Sequence, residues 1–451
     1  MGITAQFCCL LTGITADSIP APAFDAARSL VLDGVAVAMA GSRESAAGII
    51  AEHIRSLGGA EQATALNFGF KSTVVGAACL NGASMHVLDY EPMWNPPTHA
   101  VSTTLPAVLA LGESLGAGGR DMLTALIRGI EAHGRLRVAS RQYEPRALVF
   151  HPPGVTGPIG SAVAAAYLLK LGPDQLRDAI GIAASRAGAL LANIGSMTKC
   201  THCGNAAADG LSAALLAARG LSANQNVVEA PNGLAAGFFA KDWDQQALVI
   251  EDVPLRILDP GYAIKLFPSQ YATNFVIAAV LEARERIPAE QTIAAVELVG
   301  PVMPYVDRPR PSSGLDAKFS FQYAAASALL DGTVGIDTFT DERCGRPDIS
   351  AMLSKVNLAQ SAAIPASLDQ MWVEVAITFA DGSRVSSKCV RPRGAWGRSI
   401  SEQEHLVKVR DCMTRVLSEN EAENAVALLQ DFERLDAAGV RSLMHMLGGF
   451  A

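Results

Sequence analysis

Apolar residues recur at three- and four-residue spacing through most of the first 240 positions. That period predicts amphipathic helices near 23–40, 103–115, 120–138, 157–170, 173–190 and 204–219. Many of the positions that would face a neighbouring helix are Ala or Gly, so these helices should pack closely as a bundle. Gly172-Pro173-Asp174 separates two of the segments and Gly220 closes another. Near residue 255 the texture changes to turn formers, and beyond it mixed helix and strand signals follow. TIAAVELVG (292–300) reads as a strand. Residues 371–379 alternate Val373, Val375, Ile377 and Phe379 with Glu374, Ala376 and Thr378, and Asp381-Gly382 supplies a tight turn before RVSSKCV. LDAKFSFQYAAASALLDG (315–332) fits one helix ended by Gly332, which with the strands predicts an antiparallel sheet covered by helices. The period returns to helical over 402–417, 420–430 and 436–447. The expected fold class is mainly α, with a large all-helical domain (1–255 plus 400–451) and an inserted smaller α+β lid domain (256–399).

Composition narrows the partners. The chain has 451 residues, half of them hydrophobic and 18% charged, which describes a well-buried globular protein and not a disordered one. Acidic residues outnumber basic ones, 44 to 36, and no Lys/Arg-rich run is interleaved with aromatics, so nucleic acid is not an expected partner. No apolar stretch reaches the roughly 18 residues of a membrane span. The first residues lack the basic segment of a signal peptide, and Gln6 stands where a myristoylation signal has Ser or Thr. A cytoplasmic protein without a membrane partner is expected. Eight scattered cysteines read as reduced thiols, and Cys200, His202 and Cys203 lack a second ligand pair at zinc-finger spacing while Lys199 adjoins them, so no metal is expected.

The candidate chemistry sits in interrupted segments. HVLDYEPMWNPPTH sets Asp89 and His99 across a stretch stiffened by Pro92, Pro96 and Pro97, which must leave the helical pattern around it. A carboxylate, the imidazoles of His86 and His99 and an indole on an irregular segment suit proton transfer, although a helix cap and a core histidine would account for the same letters. FHPPGVTGPIG places His151 on a constrained loop entering a helix, where an anion is favoured. NIGSMTKCTHCGNAA puts Lys199 after a glycine-containing turn, with Thr198, Thr201 and Asn205 as further donors. GYAIKLFPSQYATN offers Lys265, Ser269, Gln270 and Tyr271, and YVDRPRP offers Tyr305 and Arg308. Arg308 could clamp a carboxylate bidentately, or pair with Asp307 or Asp316. No phosphate-binding loop, nucleophile elbow or dinucleotide fingerprint is present. The inventory suits a small polycarboxylate and a proton moved at carbon beside a carboxylate.

These segments, in this order, resemble the MmgE/PrpD family: HVLDYEPMWNPPTH, FHPPGVTGPIG, GSMTK with GNAAADG, KLFPSQY, then YVDRP with SFQYAAASALLDG. The resemblance covers nearly the whole chain and implies a helical domain built from both chain ends, a smaller lid, an active site between them, a homodimer, and catalysis without metal or organic cofactor. The activities it implies are 2-methylcitrate dehydration, cis-aconitate decarboxylation and iminodisuccinate epimerisation, with the decarboxylases the most similar in pattern. Asp89, His99, His151, Lys199 and Tyr305 then fall on catalytic positions. Lys265 joins them at the active site as a substrate-binding residue, with Gln270, Met93 and, from the reading of its loop, Arg308 expected to bind substrate as well. Two positions depart from the decarboxylase pattern, Met93 replacing a Thr and Gln270 replacing a His, and both alter contacts to substrate. A lyase on a di- or tricarboxylate is the leading expectation, with an epimerase second and a non-catalytic carboxylate-binding member third.

Overall fold

The computed structural model describes residues 1–144, 148–288 and 290–450. Helix accounts for 55% of the chain and strand for 9%, so the fold is mainly α. One hydrophobic core is made by Ile3–Gly13, Ala21–Gly41, Val74–His86, Ala100–Leu115, Gly119–Ala139, Pro152–Leu168, Pro173–Ala184 and Thr198–Ala218. It is completed from the far end of the chain by Glu402–Thr414, Glu419–Gln430 and Ala437–Leu447. Among the described residues no helix is long and apolar enough to cross a membrane.

Small residues set the spacing of these helices. A Cβ on Gly204 would sit 2.4 Å from the Cys79 carbonyl oxygen, and one on Gly210 would sit 2.2 Å from that of Pro158. The Thr198–Ala218 helix therefore lies backbone-to-backbone on Val74–His86 and Pro152–Leu168, which fixes the heights at which Lys199, His86 and His151 emerge. Pro158 lacks the N–H that would bond the Gly154 carbonyl. The Gly188 N–H takes that oxygen at 3.0 Å instead, and His151 N donates to Ala189 O at 2.8 Å, so the 185–192 loop grips the start of the helix.

A second core surrounds a four-stranded sheet in the order Val356–Ser361, Ile293–Pro301, Val373–Phe379, Arg384–Cys389, packed by the helices Tyr271–Arg284 and Phe321–Asp331. The hairpin forms as its alternation predicts, with Gly382 at φ 83° in the turn and the Asp381 carboxylate accepting from Ser383 N at 2.8 Å. The sheet is mixed and not wholly antiparallel, because Val356–Ser361 pairs in parallel with Ile293–Pro301. The helix expected over 315–332 is two helices, Gly314–Ala317 and Phe321–Asp331, since Ser320 leaves the helix to cap the second one through Tyr323 N. Gly332, at φ 69°, closes it.

Three helix boundaries differ from the periodicity in ways that matter for the site. The 157–170 segment starts at Pro152, because proline is tolerated in a first turn, and this makes His151 the N-cap residue. The 204–219 segment starts at Thr198, which places Lys199 inside the first turn and not in a preceding loop. The 173–190 segment stops at Ala184 and frees the loop that holds His151.

Candidate active site

A cavity of about 470 Å³ opens where the two cores meet. Four helices of eight residues or more direct their N-termini at it: Ala100–Leu115 behind His99, Pro152–Leu168 behind His151, Thr198–Ala218 through Lys199, and Tyr271–Arg284 behind Gln270. Neither His99 nor His151 spends its side chain on capping the helix it precedes. Their rings are left for the cavity, and unpaired backbone N–H groups give it a positive end on several sides.

Asp89 sits at the floor, just after the Val74–His86 helix ends, in the left-handed region at φ 52°. Its carboxylate accepts from Lys199 Nζ at 2.8 Å and from Lys265 Nζ at 2.5 Å. Lys265 is completely buried and also donates to Asp89 O at 2.7 Å and Ser269 O at 3.2 Å. Burial acts to raise the Asp89 pKa, but the two ammonium groups win and hold it well below the usual carboxylate range. Burial likewise lowers Lys265, against the pull of Asp89.

Three imidazoles cluster beside the cavity, His99 and His151 lining it and His86 packed against both. Ring centroids are 4.5 Å apart for His86 and His99, 5.7 Å for His86 and His151, and 6.0 Å for His99 and His151. Glu91, fully buried, accepts from His86 Nδ1 and from Ser102 Oγ at 3.1 Å, and His99 Nδ1 lies 2.9 Å from the same carboxylate oxygen. Burial opposes charge on Glu91, yet the imidazoles of His86 and His99 keep it well below its ordinary value, so it is a carboxylate that fixes His86 as the Nδ1–H tautomer. Burial and Lys199 push His86 down to about 3 and hold His151 well below its normal value, so both rings are neutral. Burial alone raises Tyr305 and keeps its phenol protonated.

Of the residues expected from the sequence, Asp89, Met93, His99, His151, Lys199, Gln270 and Tyr305 line the cavity together. Lys265 stands behind Asp89. Gln270 gives its Oε1 to Ala272 N as a helix cap, leaving the amide NH₂ as its free donor. Arg308 is not part of the lining. Its guanidinium is held by Asp316, the structural pairing considered above, and by Tyr305 O at 3.0 Å. Thr201 Oγ1 donates back to Thr198 O, and neither threonine nor Asn205 reaches the cavity.

Sequence reasoning passed over Arg137, which lines the cavity at 2% exposure. It donates to Pro97 O at 3.2 Å and Ser140 Oγ at 2.9 Å, its Nη2 is unpartnered, and no carboxylate pairs with it among the described residues. Burial lowers it to about 10, so it stays charged at neutral pH. Lys318 is a further buried cation, 3.5 Å from Val87 O, in a neighbouring cavity of about 340 Å³ that shares Asp89 and Lys199 with the first. Glu91 was equally hidden. Among the described residues, Lys199, Lys265, Lys318 and Arg137 have Asp89 and Glu91 as the buried anions around the site, and the half-buried Glu44 acts on Lys318.

His86, His99 and His151 bring ring nitrogens within 4.8 Å of one another, as do the ligand atoms of His86, Glu91 and Cys203, and of Asp89, Glu91 and His99. Such donors could hold a transition metal. Lys199 and Lys265 oppose a cation there, and Glu91 is already engaged. Cys200, His202 and Cys203 do not form a ligand group among the described residues.

Two family profiles match the chain, the MmgE/PrpD N-terminal domain over residues 5–246 and the MmgE/PrpD C-terminal domain over residues 267–434. The chain belongs to the MmgE/PrpD family. Its curated relatives include the cis-aconitate decarboxylase of Mus musculus, 33% identical over 386 residues covering 83% of this chain and 78% of that protein. The Homo sapiens protein of the same name is 32% identical over 81% of this chain and 78% of its own length. The Aspergillus terreus one is 26% identical over 96% and 94%. The two MmgE/PrpD matches part between residues 246 and 267, and Lys265 at that junction reaches back to Asp89 of the first.

Proposed function

We propose that this protein is a lyase acting on a small polycarboxylate, with decarboxylation of a cis-aconitate-like tricarboxylate ahead of dehydration of a 2-methylcitrate-like one. The observation that carries this reading is the surplus of buried positive charge around a cavity onto which four helix N-termini converge. A buried cation without an anion is costly, and a substrate carboxylate removes that cost. Lys199 and Arg137 are the cations on the cavity wall itself, and the Gln270 amide and the Met93 thioether complete the binding surface. Lys265 holds Asp89, which in turn sets the Lys199 ammonium.

In the decarboxylating reaction the bond to one carboxylate breaks, carbon dioxide leaves, and the electron pair stays on carbon, spread into the neighbouring unsaturated acid. The cations offset that charge, and a proton from His99, His151 or Tyr305 reaches carbon. In the dehydrating variant Asp89 or a histidine takes the α-proton while an acid assists loss of hydroxide. An epimerase needs proton-transfer groups on opposite faces of one carbon. His99 and His151 lie on one wall, both in contact with His86, which disfavours them as such a pair. A homodimer belongs to the same proposal, and sedimentation of the purified chain tests it.

The deciding experiment is proton NMR in deuterium oxide with cis-aconitate and 2-methylcitrate offered separately. Decarboxylation yields carbon dioxide and a deuterium-labelled unsaturated dicarboxylate; dehydration yields an unsaturated tricarboxylate. Solvent deuterium at an α-carbon with neither loss makes it an epimerase. No change in any polycarboxylate offered removes the catalytic reading.

A further inference from the structure

Each decarboxylation consumes one proton at carbon, and that proton must be replaced from solvent before the next turnover. His151 faces the cavity, but its side chain has a single polar contact among the described residues. Its Nδ1 lies 3.1 Å from Nδ1 of His202. The rings are 5.2 Å apart, and His202 does not line the cavity. Two nitrogens at that separation cannot both be bare or both protonated in neutral rings, so one imidazole is the Nδ1–H tautomer and the other the Nε2–H tautomer.

His202 belongs to the first turns of Thr198–Ala218, and positions 198, 202 and 205 share one helix face. Thr198 and Asn205 on that face are exposed, while His202 is buried between them and His151. His202 therefore stands between the cavity wall and the outer surface. Lys199 is the charged neighbour acting on both rings, and His86 and His99 add to its effect on His151.

We propose that His202 is the proton partner that lets neutral His151 act as the acid at carbon. Resting on the lyase reading, the step balances as follows. As His151 gives its Nε2 proton to the substrate carbon, His202 passes its Nδ1 proton to His151 Nδ1 and water gives one to His202 Nε2, its hydroxide being taken up by the released carbon dioxide as bicarbonate. Neither ring passes through imidazolate; after product leaves, His151 Nε2 takes a proton from water in the emptied cavity, His151 Nδ1 returns its proton to His202 Nδ1, and His202 Nε2 releases one to water, which restores both tautomers. A neutral, sealed histidine can act as an acid only with such a partner, because it otherwise leaves an anion in an apolar setting. His202 touches no substrate and works through His151 as a positioning residue.

The test uses His202→Ala and His202→Asn on the full chain. With His202→Ala, kcat falls by about 10- to 100-fold with KM unchanged. The single-turnover rate falls with kcat, because the partner acts in the chemical step itself, and added imidazole restores both. A single-turnover rate near wild type, a loss that imidazole does not rescue, or an unchanged kcat overturns the proposal. Nitrogen-15 imidazole shifts need no substrate: wild-type protein should show one Nδ1–H ring in the His151–His202 pair, with the His151 tautomer changing in His202→Asn. If wild type transforms no carboxylate, the lyase reading fails while those shifts still decide the pair. Two Nε2–H rings would refute it.

Discussion

Replacing Asp89 by Asn isolates the charge at the centre of the site. Asn tolerates the left-handed backbone at least as well as Asp, so the φ of 52° adds no cost and the change is one of charge alone. In the wild-type protein the carboxylate takes Lys199 Nζ at 2.8 Å and Lys265 Nζ at 2.5 Å, the second from a completely buried side chain. Two charge-assisted hydrogen bonds at about 1.5–3 kcal/mol each agree with the roughly 3–5 kcal/mol lost when one member of a buried ion pair is removed. The variant should lose about that much stability near neutral pH. Lys265, already lowered by burial, falls further once Asp89 no longer opposes that burial. The unfolded chain, with lysine near about 10.4, then binds more protons than the native one over a wider interval than in wild type. Stability of the variant therefore rises with pH across that interval, by about 1.4 kcal/mol per unit, and its deficit narrows from about pH 7 to about pH 9.5. Urea denaturation followed by circular dichroism at both pH values measures it. Adding Lys265→Met removes the stranded ammonium and should recover about 0.5–3 kcal/mol as a coupling term. A deficit below about 1 kcal/mol, or one indifferent to pH, would refute the charge argument.

Two further outcomes follow from the same geometry. Arg137→Met should raise KM for the consumed polycarboxylate by about 10- to 100-fold, since a hydrogen bond to a charged group is worth about 1.5–3 kcal/mol, whereas Arg308→Met, whose partner is Asp316, should leave KM within about twofold; steady-state kinetics on both variants decides, and equal effects would return Arg308 to the site. Gly204→Ala forces a Cβ to 2.4 Å from a backbone oxygen and should cost about 1–3 kcal/mol in a urea melt, with a neutral result showing that the helix pair can spread.

The helical half and the hairpin were legible because each long segment carries its own period. Val356–Ser361 was not, because a short strand held in parallel by Ile293–Pro301 depends on a partner far away in sequence and shows little alternation of its own. The segment from His86 to His99 announced Asp89 and His99 through its prolines, but Glu91 gave no separate sign until burial placed it between two imidazoles. Arg137 left a trace that could have been used. Arg135 has Glu131 one turn earlier, while Arg137 has His133 and Arg141 at the corresponding positions and no acid at helical spacing. Arg308 misled for the opposite reason, since its acid, Asp316, lies eight residues on in the separate short helix Gly314–Ala317.

The convergence of helix N-termini on the cavity sets a limit on what side-chain chemistry can remove. Peptide dipoles do not titrate and survive substitution, so this part of the attraction for anions persists at any pH at which the protein stays folded. Lysine and histidine contribute the adjustable part, which responds to acidity and to each turnover's protons. Deleting one cation should therefore weaken carboxylate capture without reversing its sign. A reversal would require moving a helix.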